Sequence, residues 1–286
     1  MRWAEIAVAA AGDAQEVVGA LLTDVAGCQG YSATANAVVG YLPVDERLED
    51  TLLRLRAAVR ALPEAGFPDV SPEITVRFVA EADWANAWKQ YFKPQVVGEH
   101  IVVKPTWETW DARPGDVIVE IDPGMAFGTG LHATTRLCLR ALETLVTPGV
   151  RVADVGTGSG ILAVAAARLG AGRVQAVDVD PLAVRVAREN VALNGVGDRV
   201  SVAESSVPPP GAFDVVVANI LADVILEMAP ALRDALVSGG RLVASGIIDT
   251  RAEDVRAGLV RAGLTVDETL AEGEWIAITA TRPGAA

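Results

Sequence analysis

A doubly wound α/β sheet of seven strands with an antiparallel last strand, preceded by a small α+β domain, is the fold this 286-residue chain predicts. From about residue 95 onward, short apolar strand patterns alternate with helical ones, as a largely parallel sheet with crossover helices requires. The last two strand patterns are joined only by Ala271-Glu272-Gly273, a link too short for a crossover helix, so they form a hairpin. Residues 1–80 instead follow the order strand, helix, two strands, helix, strand, which is that of a split-βαβ, ferredoxin-like sandwich.

Trp3–Ala9 has the character of a strand, and Asp13–Ala26 places Val17, Leu21 and Leu22 on one helical face. Short strands are expected at Gln29–Thr34 and Ala37–Leu42. Asp45 can cap a second helix, in which Leu48, Leu52, Leu55 and Val59 recur every three or four residues. Glu73–Ala80 closes the unit. Residues 81–94 form a connector helix with Trp84 and Trp88 one turn apart, ended by Pro94. Trp107 and Trp110 follow, and these rings serve either as packing or as a hinge between domains. Stacking on bases is disfavoured, because few basic residues accompany them.

The third region, 95–286, is the doubly wound domain. Its strands are expected at Val150–Val155, Val174–Asp178, Val200–Ala203, Phe213–Ala218 and Arg241–Ile247, and in the closing hairpin Thr265–Leu270 and Glu274–Ala280. Its helices are expected at Ile161–Leu169, Pro181–Leu193, Leu221–Leu236 and Arg251–Ala262.

Composition narrows the function classes. Hydrophobic residues make up 51% and charged residues 21%, which is enough for a packed core and excludes disorder as the main state. The most apolar stretch, Val215–Leu232, is interrupted by Asp223 and Glu227, which argues against a membrane span. The opening residues are expected to be a first strand and not a signal peptide. A net charge of −13 disfavours non-specific nucleic-acid binding. Cys28, Cys138, His100 and His132 are the whole complement of their types and show no ligand spacing, so no metal site is expected. Two distant cysteines suit a reducing cytoplasm. The chain is expected to act there as a monomer.

In an open α/β sheet the ligand lies beyond the carboxyl ends of the strands. Four segments converge there. Asp154-Val155-Gly156-Thr157-Gly158-Ser159-Gly160 follows a strand and opens a helix, and its glycines let the backbone lie against a ligand. Asp178, ending the next strand, can accept both ribose hydroxyls of an adenosine. Asp180 before Pro181 better fills the role of helix cap. Asn219 ends the strand Phe213–Ala218 and either presents its amide to the reacting group or caps the following helix. Asp122 to Thr135 is a pliable glycine flap around Phe127, and His132 within it packs, caps or takes a chemical role, though not that of a metal ligand.

Gly158-x-Gly160-x-x-Ala163 also fits a dinucleotide fingerprint, so an NAD-dependent oxidoreductase is an alternative. Asp154 would bring negative charge near the pocket, which opposes a pyrophosphate and suits a ligand with a sulfonium and an ammonium. With the antiparallel tail and Asn219, this favours S-adenosylmethionine.

These segments resemble the class I methyltransferases and, more narrowly, the ribosomal protein methyltransferase PrmA family. Trp84-x-x-x-Trp88-Lys89 through Lys93-Pro94, Asp122-Pro123-Gly124-Met125-Ala126-Phe127-Gly128-Thr129-Gly130 and Ala218-Asn219-Ile220-Leu221 carry the likeness, which extends over the whole chain. One departure is Leu131, where relatives commonly have Thr or His. The resemblance implies a protein-lysine methyltransferase acting on lysine side chains and the N-terminal amine of large-subunit ribosomal protein eleven. It also implies cofactor contacts at Thr135, Gly156, Asp178 and Asn219, with Phe127 and Gly158 lining the site. The chemistry of amine attack further makes Asn219 the expected catalytic residue, orienting the amine lone pair. The 1–80 domain would then recognise the target and the connector helix let it reorient. A different protein target within the same group of enzymes is the other alternative.

Overall fold

The computed structural model describes residues 2–12, 14–28, 31–34, 36–44, 47–63, 66–68, 70–80, 92–122 and 132–284. These form two compact units, 1–92 and 93–286. Trp84, Trp88 and most of the expected connector helix lie outside the described residues, as do Asp45 and Phe127.

The first unit runs β1 (Arg2–Ala9), α1 (Ala14–Asp24), β2 (Tyr31–Ala33), β3 (Ala37–Pro43), α2 (Leu48–Ala61) and β4 (Ile74–Ala80). Its sheet order is β2-β3-β1-β4, with β1 antiparallel to both β3 and β4. This is the expected split arrangement. Alternate residues of β1 point to one side, so Ile6 and Val8 meet Val18 and Leu22 of α1 and Leu55 and Val59 of α2 in one core. Arg47 stands at the start of α2 and offers no side-chain cap.

The second unit opens with a small sheet that periodicity did not reveal: β5 (Gln95–Val97), β6 (Ile101–Lys104) and β7 (Val117–Glu120). Strands of three or four residues are too short for alternation to declare itself. Lys104 also reads as a surface residue, yet it is buried, with Nζ 2.5 Å from Glu120 Oε1 on the neighbouring strand. Trp110 is tied locally, donating from Nε1 to Asp116 at 2.7 Å. That bond, ahead of the Arg113 amide, holds the Asp116 carboxyl below its ordinary range.

There follow α3 (Ala133–Leu145), β8 (Arg151–Val155), α4 (Ile161–Arg168), β9 (Arg173–Asp178), α5 (Pro181–Leu193), β10 (Val200–Glu204) and β11 (Phe213–Asn219). The chain continues through α6 (Ala222–Ala235), β12 (Leu236–Ile248), α7 (Ala252–Arg261), β13 (Thr265–Glu272) and β14 (Trp275–Thr281). The sheet order is β10-β9-β8-β11-β12-β14-β13. Strands β10 to β12 are parallel, and β14 runs antiparallel to both β12 and β13. The last strand is therefore antiparallel as expected, but it is inserted one place in from the edge.

Both faces of this sheet are covered. Val215, Val217 and Val243 join Leu139 and Leu142 of α3 and Leu162 of α4 in one core. Val216, Ala218, Leu242 and Ala244 join Ile225 and Leu232 of α6 and Leu259 of α7 in the other. Such two-sided burial explains why the middles of the strands are largely apolar on consecutive residues, as in Val215–Ala218. Strand order reverses between β8 and β11, which places a crevice at their carboxyl ends.

Candidate active site

Strand β8 ends in a buried carboxylate. Asp154 Oδ2 accepts from Thr157 Oγ1 at 2.6 Å and from the Ala163 amide at 3.0 Å. One side chain thus braces both the turn of the glycine loop and the first turn of α4. Its Oδ1 has no hydrogen-bond partner among the described residues. Burial pushes this carboxyl up to about 7, against the bonds from Thr157 and Ala163 that favour its charge, with Asp178 adding repulsion. The charge assigned to Asp154 from sequence therefore needs correction. The group is enclosed beneath the loop and burial disfavours its charge, so it is a brace for the loop more than a charge presented to a ligand.

The loop leans on the neighbouring strand. The Gly158 amide donates to Asp178 Oδ2 at 2.9 Å, and the Asp180 amide donates to Asp178 Oδ1 at 3.0 Å. Each carboxylate oxygen has about two acceptor positions, so each keeps one for a ligand hydroxyl. Asp180 caps α5, accepting from the Leu182 amide at 2.9 Å, with Pro181 in the first turn. The cap is thus Asp180, and Asp178 is left for the crevice. Beside it Val179 is 68% exposed, an apolar side chain bare at the end of a buried strand. Its position between two aspartates hid it in the sequence.

Across the switch point, Asn219 Nδ2 donates to Thr135 Oγ1 at 3.4 Å. Asn219 is not the cap of α6, because Leu221 occupies that position without a side-chain bond. Thr135 is buried in the first turn of α3, which His132 caps by accepting from the Thr134 amide. Burial, then the nearby Arg136, hold the His132 imidazole below its ordinary range, so it is neutral at pH 7 and its Nδ1 can accept. The His132 ring meets Trp275 edge-on at 4.7 Å. One turn further, Arg136 and Arg140 both pair with Glu272. The start of α3 is thereby fastened to the β13–β14 hairpin.

The two halves of the crevice touch through Ile220. A Cβ placed on Gly156, whose φ is +71°, would collide with Ile220 Cγ2. The loop is thus bare at this point to receive a neighbouring side chain, in addition to any ligand it meets. Gly156, Gly158, Asp178, Thr135 and Asn219 are gathered at one end of the sheet. Phe127 lies outside the described residues.

Comparison with known proteins decides the family. Residues 2–283 match the family model described as "Ribosomal protein L11 methyltransferase (PrmA)". The chain belongs to the ribosomal protein L11 methyltransferase (PrmA) family. It is 52% identical over 254 residues to the protein of that name from Pelotomaculum thermopropionicum, covering 87% of this chain and 81% of the relative. The protein of that name from Desulfitobacterium hafniense is 43% identical over 308 residues, with 98% of each chain covered. Among solved structures, the ribosomal protein L11 methylase of Lactobacillus delbrueckii subsp. bulgaricus aligns with TM-score 0.63 and 35% identity. That alignment covers 67% of this chain and all of the other.

Membership of the PrmA family settles the competition between glycine-loop readings. The dinucleotide pattern at Gly158 and Gly160 is shared by many doubly wound folds, whereas the insertion of β14 between β12 and β13 is not part of the dinucleotide-binding order. No helix of the described residues is long and apolar enough to cross a membrane.

Proposed function

We propose that the chain transfers methyl groups from S-adenosylmethionine to lysine side chains, and to the N-terminal amine, of large-subunit ribosomal protein eleven. The observation that carries this is the Asn219 amide held against Thr135 at the carboxyl end of β11, opposite the Asp178–Gly158 edge.

The residues present fit the cofactor. Asp178 has an acceptor position on each oxygen for a pair of ribose hydroxyls, and exposed Val179 offers an apolar surface for a flat base. When bound, the cofactor supplies a methyl group activated by a sulfonium centre. Gly156 and Gly158 would line the site together with Thr135.

The target amine must be neutral to attack. A free lysine has a pKa of ~10.4, so deprotonation at pH 7 costs about 4.6 kcal/mol. A partly desolvated crevice lowers that cost without a dedicated base. Asn219 Nδ2 is engaged by Thr135, which leaves Oδ1 to accept an amine N–H and aim the nitrogen lone pair. The proton leaves to solvent, and alignment of the reacting atoms supplies much of the rate. The 1–80 unit would recognise the target protein. On the side of β1 away from its core, Glu5 accepts from Tyr41 Oη at 3.0 Å and lies 3.8 Å from Arg77.

The test is labelled methyl transfer from S-adenosylmethionine to the unmodified ribosomal protein, alongside whole ribosomal extract. Label on that protein is the expected result. Label confined to another protein would overturn the target. An absence of label together with no cofactor binding by calorimetry would overturn the activity.

A further inference from the structure

We infer that Ile220 is a positioning residue, a spacer that locks Asn219 to the cofactor loop so that cofactor and target amine are held in one fixed relation. The inference rests on Asn219 orienting the amine, as proposed above. Ile220 is hemmed in on two sides where a side chain would otherwise stand. On one side is Gly156 of the β8–α4 loop, where a Cβ would collide with Ile220 Cγ2 but stay 3.9 Å from Ile220 Cβ. On the other is Gly246 of β12, with φ +89°, where a Cβ would collide with the Ile220 carbonyl oxygen and lie 2.8 Å from its carbon and 3.1 Å from its nitrogen.

Gly246 lies where the register of β12 against β14 shifts, between Ser245 and Ile247. The strand bulges there, as a backbone approached closely by another segment often does. The Ile220 amide donates to Ser245 O at 3.0 Å, and Ser245 in turn donates from Oγ to Ile276 O at 3.0 Å. The backbone of Ile220 is thus fixed by β12, while its side chain reaches the glycine loop. Asn219, one residue earlier, has little freedom to move independently of that loop. Leu221, one residue later, is turned outward and is 73% exposed.

The two contacts differ in kind, and this makes the role testable. The Gly156 contact is with a side-chain methyl that a substitution can remove, whereas the Gly246 contact is with backbone. The experiment is a double-mutant cycle of Gly156→Ala and Ile220→Ala in the full chain, read three ways: kcat, cofactor Kd by calorimetry, and thermal unfolding. Displacing a reacting group by ~1 Å costs on the order of 100-fold in rate. Gly156→Ala is expected to weaken cofactor binding and slow turnover by about that factor. Adding Ile220→Ala removes the collision though not the strain of a Cβ at φ +71°, so it should recover ~10-fold of both losses and not the whole, because coupled residues depart from additivity. Ile220→Ala alone should lower kcat about 10-fold with cofactor Kd changed less than about 2-fold, and Ile220→Val, which keeps Cγ2, should stay near wild type.

Additive losses in the double variant would overturn the inference. So would an Ile220→Ala protein with undiminished kcat, or one whose cofactor affinity falls in step with its rate. Should Gly156→Ala fail to fold, the kcat-against-Kd split of Ile220→Ala and the retention in Ile220→Val decide the matter. Asn219→Ala, measured in parallel, separates the two layers. Full turnover there would sink the role of Asn219 itself, while recovery of cofactor Kd in the double variant would still show the contact between Ile220 and the loop.

Discussion

Asp178 and Gly158 form the link between the two strands that frame the cofactor side of the crevice: the Gly158 amide donates to Asp178 Oδ2 at 2.9 Å. The carboxylate therefore has two tasks, holding the loop and offering its remaining acceptor positions to the ligand. Asp178→Ala removes both. Hydrogen bonds to a charged group contribute about 1.5–3 kcal/mol each, so losing even one of the two to the ligand should raise cofactor Kd at least about 10-fold. Calorimetric titration measures this directly, and an unchanged Kd would remove Asp178 from the site.

Asn219→Ala acts on the other half of the crevice. Turnover should fall about 100-fold, the scale for losing one aligned polar group, with cofactor Kd changed only a few-fold. Rates at saturating cofactor and saturating target separate the two effects. Full turnover would show that the amine is oriented by something else.

Asp154 makes stability depend on pH in a direction unusual for a carboxylate. Its pKa is raised to about 7 in the folded chain by burial, above its value of 3.8 when exposed. Between about pH 4 and pH 7 the unfolded chain releases this proton while the folded chain holds it, so stability falls as pH rises through that window and levels off above it. Asp154→Asn cannot ionise and lacks this slope. The difference in Tm, variant minus wild type, should grow from pH 4 to pH 7 and then flatten. A constant difference would mean that Asp154 is charged throughout.

Lys104 and Glu120 form a largely enclosed pair, with Lys104 9% exposed by side chain and Glu120 31%. Lys104 also donates to Glu108 O at 3.1 Å, so its loss leaves more than one acceptor unmet. Lys104→Met should destabilise the chain by about 2 kcal/mol, below the usual range for a broken buried pair because Glu120 retains contact with water. Adding Glu120→Leu should recover most of it. Denaturant unfolding of the two variants checks both statements.

The parts of the fold that were legible share a physical cause. The strands Val174–Asp178 and Phe213–Asn219 are buried and apolar through Ala176–Val177 and Val215–Ala218, which makes the polar residue ending each conspicuous. Asp178 and Asn219 stood out for that reason, and Asp180-Pro181 marked the helix start that freed Asp178 for another role. The small sheet of β5 to β7 was hidden because its strands span a single turn of the pattern and carry a buried lysine. The state of Asp154 was hidden because burial is a property of what packs around a residue. Ile220 looked like any apolar residue between a strand and a helix. What distinguishes it is the pair of glycines, 64 and 26 positions away in the chain, that leave it room.

The position of β14 also imposes a sequence of events in time. Among the described residues, strand β13 pairs with β14 and has no other neighbour in the sheet. It cannot be adsorbed onto β12 when it leaves the ribosome, since that edge is reserved for a strand not yet made. Strand β13 can join only through β14, whether the hairpin closes before docking or β14 pairs with β12 first, with Ile276 opposite Ile247 and Trp275 opposite Ile248. Until then the β12 edge is an open row of donors and acceptors, the kind of surface that recruits the wrong strand. That edge is closed only when β14 is in place, so the last segment of the chain also serves to cover it.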